Sequence, residues 1–237
     1  MLFADEHLLV VDKPAGLVSV AGRPGEPALP EVMVQRRLVA PDEPFRVVQR
    51  LDRDASGVLV YARTLDAQRN LTEQFATQQI EKVYLALVQG YVPEDGVVEL
   101  PLATDKSGSR ATIAPRNGKP AVTEYHIRER VAGHTLLECR PRTGRFHQIR
   151  AHLAAIGHPL AVDPLYGGGT AVRLSEYKPD YRASRRHEER PLIDRLTLHA
   201  ARLTLAHPAG GARLSFEAPL PKDLRATLHQ LRRLPPA

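Results

Sequence analysis

Short apolar runs and amphipathic stretches follow one another along the chain, and they predict strands and helices in mixed order. The β-branched run HLLVVDKPAG ends on Pro and Gly, which predicts a buried strand entering a turn. A short helix is predicted over 32–39. Next, VVQRLD (47–52) and VLVYAR (58–63) predict a strand, a loop and a second strand, with Asp52 at the turn between them.

Further along, helical patterns alternate with strand patterns. An N-cap at Asp66 begins a predicted helix that runs to about Gln78. A second helix, RFHQIRAHLAAIG, stops at Gly157, and a short amphipathic one lies near 224–231. Strands are predicted at KVYLALVQG, AVTEYHIRER, HTLLECRPR, LTLHAARLTLAHP and ARLSFEAP. Without an internal repeat, the pattern predicts a single domain over 1–237.

Composition narrows the class of protein. Hydrophobic residues at 43% and charged residues at 25% are ordinary for a globular domain. The 33 basic and 27 acidic residues give a net charge of +6, which favours an acidic partner but also suits a basic enzyme without one. Cys139 is the single cysteine, so no intramolecular disulfide or multi-cysteine zinc site is possible. The N-terminus carries early acids and only a short apolar stretch, so we expect a cytoplasmic protein without membrane association.

The segment RLDRDASG places a carboxylate, Asp52, between two apolar strands and beside a Ser-Gly turn. Loops on rigid scaffolds often carry reactive groups. An aspartate at such a turn can equally cap the backbone through its side chain. The local sequence leaves both interpretations open.

The longer string VVQRLDRDASGVLVYART resembles the signature around the catalytic aspartate of RluA-family pseudouridine synthases, usually written HRLDxxTSG. The matching residues are Arg50, Leu51, Asp52, Ser56 and Gly57. Gln49 stands where His is usual and Ala55 where Thr is usual, which bears on hydrogen bonding in the loop and on substrate fit.

The resemblance covers nearly the whole chain. It continues in the family's order through HLLVVDKPAGLVSVAGR, KVYLALVQG, GKPAVTEYHI, RPRTGRFHQIRAHLAAIGHPLAVDPLYGG and RLTLHAARLTLAHP. The LVSVAGR loop looks closest to RluA itself, and the early start of the motifs predicts that no S4-type RNA-binding module precedes them. The family implies an α+β fold with a long, mostly antiparallel mixed sheet flanked by helices, and a central cleft where Asp52, Tyr84 and Arg150 converge.

The family resemblance implies an isomerase that converts uridine to pseudouridine in RNA without a cofactor. The aspartate attacks or deprotonates the ribose, the glycosidic bond breaks, and C5 of uracil rejoins C1′. Such chemistry needs an ionised carboxylate, an aromatic face, a cation and a dry pocket. We expect a monomer acting on structured RNA, with 23S ribosomal RNA and transfer RNA both open as substrates.

Three residues take catalytic or substrate roles through this resemblance. Tyr84 matches the active-site tyrosine, whose ring can stack on uracil, although alone it would be a core residue. Arg150 matches the arginine that pairs with the aspartate, although alone it would be a helix-surface arginine. Arg50 matches the arginine thought to replace the flipped-out uridine, and a surface contact to phosphate is the equal alternative.

His147 and His152 invite a zinc interpretation. Five residues at about 100° each place them roughly 140° apart on a helix, unlike the i, i+4 pair of zinc proteases, so no metal is expected. We expect His147 to hydrogen-bond locally, with Gln148, and to contact RNA together with Arg145.

A polar, basic stretch at about 170–195 predicts an exposed insertion. Its tyrosines and cationic residues are Arg173, Tyr177, Lys178, Tyr181, Arg182, Arg185, Arg186 and Arg190. We expect Arg182, Arg185 and Arg186 to contact the RNA backbone, with a solvated charged loop as the alternative.

Three other functions compete with the isomerase. A glycoside or nucleoside hydrolase would also use a carboxylate at an anomeric carbon, but it normally needs two placed carboxyl groups. A non-catalytic RNA-binding or ribosome-assembly module of the same fold fits the departures at Gln49 and Ala55. A methyltransferase is disfavoured, because the GGG at 167–169 lacks the spacing and setting of a Gly-rich cofactor loop.

Overall fold

The computed structural model describes residues 1–20, 26, 28–178, 180–182 and 188–234. Its α-helices are α1 (Leu29–Gln35), α2 (Leu65–Ala76), α3 (Gln148–Ala155) and α4 (Lys222–Leu231). Its strands are β1 (Phe3–Ala4), β2 (Leu8–Lys13), β3 (Arg46–Val47), β4 (Ser56–Ala62), β5 (Glu81–Gln89), β6 (Gly96–Glu99), β7 (Leu102–Thr104), β8 (Ala111–Ile113), β9 (Val122–Val131), β10 (His134–Pro141), β11 (Leu198–Ala206) and β12 (Arg213–Glu217).

The chain divides into two compact units, each assembled from two segments. Unit 1 comprises Met1–Val83 and His199–Pro219. Unit 2 comprises Tyr84–Leu198 and Leu220–Ala237. The single catalytic domain over the whole chain stays a prediction.

In unit 1 the sheet is built around β4. This strand pairs antiparallel with β2 and β3 and parallel with β11, and β1 and β12 extend the sheet beyond β2 and β11. Every residue of β4 is buried, which explains its unbroken apolar run instead of an alternating pattern. Val58 and Val60 pack in one core cluster with Leu71 of α2 and Leu203 of β11.

Unit 2 contains an antiparallel sheet in the order β5, β10, β9, β6, and a separate hairpin of β7 and β8. Helix α3 packs against β8, β9 and β10. Leu224, Leu228 and Leu231 of α4 are fully buried in one core cluster at i, i+4 and i+7, as the amphipathic pattern predicts. Together with the mixed sheet of unit 1, these elements confirm the expected α+β fold class with mostly antiparallel strands.

Some predicted boundaries are wrong, each for a local reason. Helix α1 begins at Leu29 instead of residue 32, because Pro30 fits the first turn, and it ends before Arg37, whose φ is 53°. Helix α2 takes its cap from Thr64, whose hydroxyl accepts from the Ala67 amide, and not from Asp66.

Two further boundary corrections concern the candidate site. Of the predicted strand over 47–52 only Val47 lies in a strand, at the end of β3, so Arg50 and Asp52 lie in irregular backbone. Helix α3 begins at Gln148, and His147 before it is left-handed, with φ of 50°.

No helix in the described part of the chain has the length and apolar character needed to cross a bilayer.

Gly57 fixes how closely β4 approaches β11. Its φ is 115°, and a Cβ built on it would collide with the backbone of Ala200, its partner in the parallel pair. Only glycine satisfies both conditions.

We expect Gly57→Ala to lower the free energy of unfolding by about 2–5 kcal/mol, from backbone strain plus overpacking. Gly210→Ala is the matched control in the same unit, since a Cβ there meets nothing within 4 Å. Urea unfolding measures both variants. Equal stability of the two would contradict the close approach.

Candidate active site

Asp52 is half-buried and lies outside the strands, in the turn between β3 and β4. The turn closes through a 3.2 Å hydrogen bond from the Ala55 amide to the Asp52 carbonyl. Because no sheet ladder satisfies the backbone here, side chains must supply its partners.

Ser19 holds the residue just before Asp52. Its hydroxyl donates to the Leu51 carbonyl and accepts from the Leu51 amide, both at 3.0 Å, and Ser19 and Leu51 are buried. The Ser19 carbonyl in turn accepts from the Tyr61 hydroxyl at 2.6 Å. Burial raises the pKa of Tyr61, so its phenol stays protonated and remains a donor. A core tyrosine on β4 is thereby connected to the backbone beside Asp52.

Lys13 holds the residue just after Asp52. Its fully buried ammonium group donates to the carbonyls of Pro14, Leu17 and Arg53 at 3.0, 2.8 and 2.9 Å. The Arg53 carbonyl also accepts from the Gly16 amide at 3.0 Å. The loop after β2 and the turn of Asp52 therefore form one hydrogen-bonded assembly.

The far end of the turn is fixed by a buried pair, Ser56 and His199. The Ser56 Oγ lies 3.0 Å from His199 Nδ1, and His199 Nε2 lies 3.2 Å from the Ala218 carbonyl. A carbonyl only accepts, so Nε2 carries a hydrogen and donates it to Ala218. The sequence patterns do not single out His199 as a contributor, although the motif RLTLHAARLTLAHP contains it.

The two departures from the family signature occupy different surroundings. Ala55 is buried, with 1% of its surface exposed, where a small methyl group fits. The amide nitrogen of Gln49 is buried and has no hydrogen-bond partner in the described part of the protein. Among the described residues, the loop therefore contains at this position a buried amide group without the hydrogen bond that it could donate.

Tyr84 lies half-buried near the start of β5, opposite Cys139 of β10. Burial raises the pKa of the Cys139 thiol, which agrees with a core cysteine that stays protonated. Two positions before Tyr84, burial lowers the pKa of Lys82 to about 8. The sequence patterns did not single out Lys82.

Arg150 makes a bidentate ion pair with Asp163. Its Nε and Nη2 donate to the two carboxylate oxygens at 2.7 and 2.8 Å, with Asp163 fully buried and Arg150 only 8% exposed. Two parallel charge-assisted bonds fix the plane of the guanidinium group. Arg150 is thus not a helix-surface arginine, and Asp163 is a further residue that sequence reasoning missed.

His147 and Tyr166 complete the surroundings of Arg150. The Nη1 of Arg150 donates to His147 Nε2 at 2.9 Å, so His147 carries its hydrogen on Nδ1, which lies 3.1 Å from the Tyr166 hydroxyl. The Tyr166 ring stands 5.0 Å from the Arg150 guanidinium carbon, a cation–π distance. The partners of His147 shown here are Arg150 and Tyr166, and its expected bonding with Gln148 stays a prediction.

The remaining histidine and glutamine of this motif serve the framework. His152 hydrogen-bonds Thr123 and the Leu100 carbonyl, at 3.0 and 2.9 Å. Gln148 bonds to Thr143 and Thr123. Each ring and amide is occupied in holding unit 2 together.

The residues expected to bind RNA are exposed where they are described. Arg50, Arg145 and Arg182 are exposed, and His147 is half-buried. Arg185 and Arg186 lie outside the described residues. The described start of the basic insertion packs through Tyr177, whose ring lies 5.0 Å from that of buried His134. That Asp52, Tyr84 and Arg150 converge, with Asp52 paired to Arg150, stays a prediction.

Two relatives from different bacteria carry the same name. Ribosomal large subunit pseudouridine synthase D from Nitrosomonas europaea is 40% identical over 237 residues, covering 99% of this chain and 66% of the relative. The protein of the same name from Pseudomonas aeruginosa is 35% identical over 234 residues, covering 98% of this chain and 71% of the relative. This chain therefore spans about two thirds of their length. The finer likeness of one loop to RluA itself stays a prediction.

A solved structure and a family model agree with these relatives. Human RNA pseudouridylate synthase domain containing 4 superposes with a TM-score of 0.74 at 27% identity, covering 100% of this chain and 94% of that one. The family model described as RNA pseudouridylate synthase matches residues 7–155. This chain therefore belongs to the RluA family of RNA pseudouridylate synthases, isomerases that convert uridine to pseudouridine in RNA.

Proposed function

We propose that this chain isomerises uridine in the RNA of the large ribosomal subunit, with Asp52 as its nucleophile or base. The observation that carries the proposal is the turn of Asp52, whose backbone is held on both sides by the buried Ser19 and Lys13. The names of the relatives favour ribosomal over transfer RNA. A 23S substrate, a monomeric state and a cytoplasmic location belong to the same proposal.

The reaction rearranges bonds without adding or removing atoms from the nucleoside. Asp52 either forms a bond to C1′ or removes a proton from C2′, and in both cases the bond from C1′ to N1 of uracil breaks. The detached uracil turns and C5 bonds to C1′, while the Asp52–C1′ bond breaks or C2′ regains its proton. The hydrogen formerly on C5 leaves to solvent, and N1 takes up a proton in exchange. Since substrate and product are isomers, the step consumes no oxidant, reductant or co-substrate.

Tyr84 and Arg150 take supporting roles in the proposal. The half-buried Tyr84 ring offers the detached uracil an aromatic face. Arg150 supplies the oriented cation that the resemblance assigns to the aspartate, and its orientation comes from Asp163 and His147. A guanidinium already held in place loses little freedom when the substrate binds, which is how preorganised groups lower a barrier.

Asp52→Asn is expected to abolish turnover while RNA binding survives, because the shape is kept and the charge that the sugar chemistry needs is lost. RNA labelled with tritium at uridine C5 should release tritium to water with the native chain and not with the variant. The matched control is Asp54→Asn, an exposed carboxylate two residues away, which should release tritium at the native rate. Native release by Asp52→Asn would refute its assignment.

Asp163→Asn is expected to lower kcat by about 10- to 100-fold with RNA affinity nearly unchanged, because a loosened guanidinium misplaces the charge it presents. The broken buried pair should also cost about 3–5 kcal/mol of stability, so rates are taken per folded protein.

Asp223→Asn serves as the control for the Asp163 prediction. It removes another bidentate pair of unit 2, with Arg195, at 2.6 and 2.7 Å and with Asp223 partly exposed. Its kcat should stay native. Equal losses of kcat in both variants would mean that Asp163 has only a structural role.

Replacing Arg182, Arg185 and Arg186 together by Ala should weaken RNA binding and flatten its salt dependence. For every phosphate that the variant no longer neutralises, the slope of log affinity against log salt should fall by about 0.7–0.9. Filter binding at several salt concentrations measures the slope. Three other exposed arginines replaced together by Ala, Arg36, Arg37 and Arg225, control for net charge. A slope that matches this control would exclude the insertion as an RNA-binding segment.

A further inference from the structure

Phe146 exposes an aromatic ring to solvent. Its exposed fraction is 41%, whereas the other four phenylalanines of the chain are buried or half-buried. An isolated exposed apolar side chain needs no explanation. This ring, however, is not isolated, because an aromatic side chain stacks on it and a cationic side chain lies beside it.

One face of the ring is backed by the imidazole of His147. The two ring centroids lie 3.7 Å apart at an interplanar angle of 24°, a stacked arrangement. The exposed part of Phe146 therefore comprises its opposite face and its edges. His147 is itself held by hydrogen bonds to Arg150 at 2.9 Å and to Tyr166 at 3.1 Å, so the ring that backs Phe146 is fixed in place.

A cationic side chain stands next to the ring in sequence. Arg145 is exposed, its Nε donates to the Pro120 carbonyl at 3.0 Å, and no carboxylate of the described residues forms an ion pair with it. Its Nη atoms can therefore approach a phosphate while the stem is held in place. A flat ring with an adjacent cation matches the two parts of a nucleotide, base and phosphate.

We propose that Phe146 is a stacking platform for an unpaired RNA base next to the target uridine, with Arg145 on the adjoining phosphate. The inference rests on the proposed function, because RNA is the substrate of that function and Arg150 belongs to its site. The base involved is a neighbour of the uridine, so Phe146 selects for unpaired RNA and takes no part in the chemistry.

A purely apolar role is the competing explanation, in which Phe146 shields His147 and Arg150 from water or meets an apolar protein surface. Leucine would serve either purpose about as well as phenylalanine. Stacking requires a flat π system, so tyrosine keeps it and leucine does not. The choice of substitution therefore separates the two explanations.

The test measures binding of a short oligoadenylate and of an abasic ribose-phosphate chain of equal length to the full chain. Phe146→Ala and Phe146→Leu should weaken oligoadenylate binding by about 5- to 150-fold, the range for one stacked base, and leave the abasic chain unaffected. Phe146→Tyr should keep native affinity. A 2-aminopurine within the oligoadenylate should lose fluorescence on the native chain and not on Phe146→Leu.

Val97→Ala, which shortens another exposed side chain of unit 2, should leave both affinities native. Native affinity in Phe146→Leu, equal losses on the abasic chain, or no binding of oligoadenylate would each overturn the platform. Oligoadenylate contains no uridine, so the result is independent of turnover. Tritium release without base-dependent binding would remove the platform alone, and the reverse outcome would remove the isomerase alone.

Discussion

Three backbone carbonyls share the buried ammonium group of Lys13, and the placement of Asp52 depends on that sharing. A turn that leaves the sheet must satisfy its own polar groups, because burying them without partners destabilises the fold. Lys13 and Ser19 meet this need from the two sides of Asp52, and Ser56 closes the far end. The backbone on both sides of Asp52 is thereby held by buried partners, although the turn lies outside the sheet.

In unit 2 the group that is held in place is a cation, the guanidinium of Arg150, and not a carboxylate. The carboxylate of Asp163 fixes the plane of the Arg150 guanidinium, so the guanidinium acts as an oriented set of charged donors. His147, Tyr166 and Phe146 extend the same network outward to the solvent. A buried ion pair is thus connected with an exposed ring.

The sequence predicts the apolar strands and the amphipathic helix α4 well, because the positions that become buried carry apolar residues at the spacing typical of each element. It also singles out Asp52, Tyr84 and Arg150 through their motifs. It does not reveal Asp163 as the partner of Arg150, since that choice depends on how the chain after α3 folds back. The strands β6, β7 and β8 are not predicted for another reason: runs of three or four residues are too short to show a period.

The order of segments in unit 1 affects how the chain folds while it is being synthesised. Strand β4 emerges early, but its parallel neighbour β11 and the following β12 come only after the intervening segment of unit 2. Until β11 (Leu198–Ala206) has been synthesised, the edge of β4 that pairs with β11 is exposed. The nascent chain therefore passes through a period of exposure to aggregation, in which chaperone protection matters more than for a chain with local pairings.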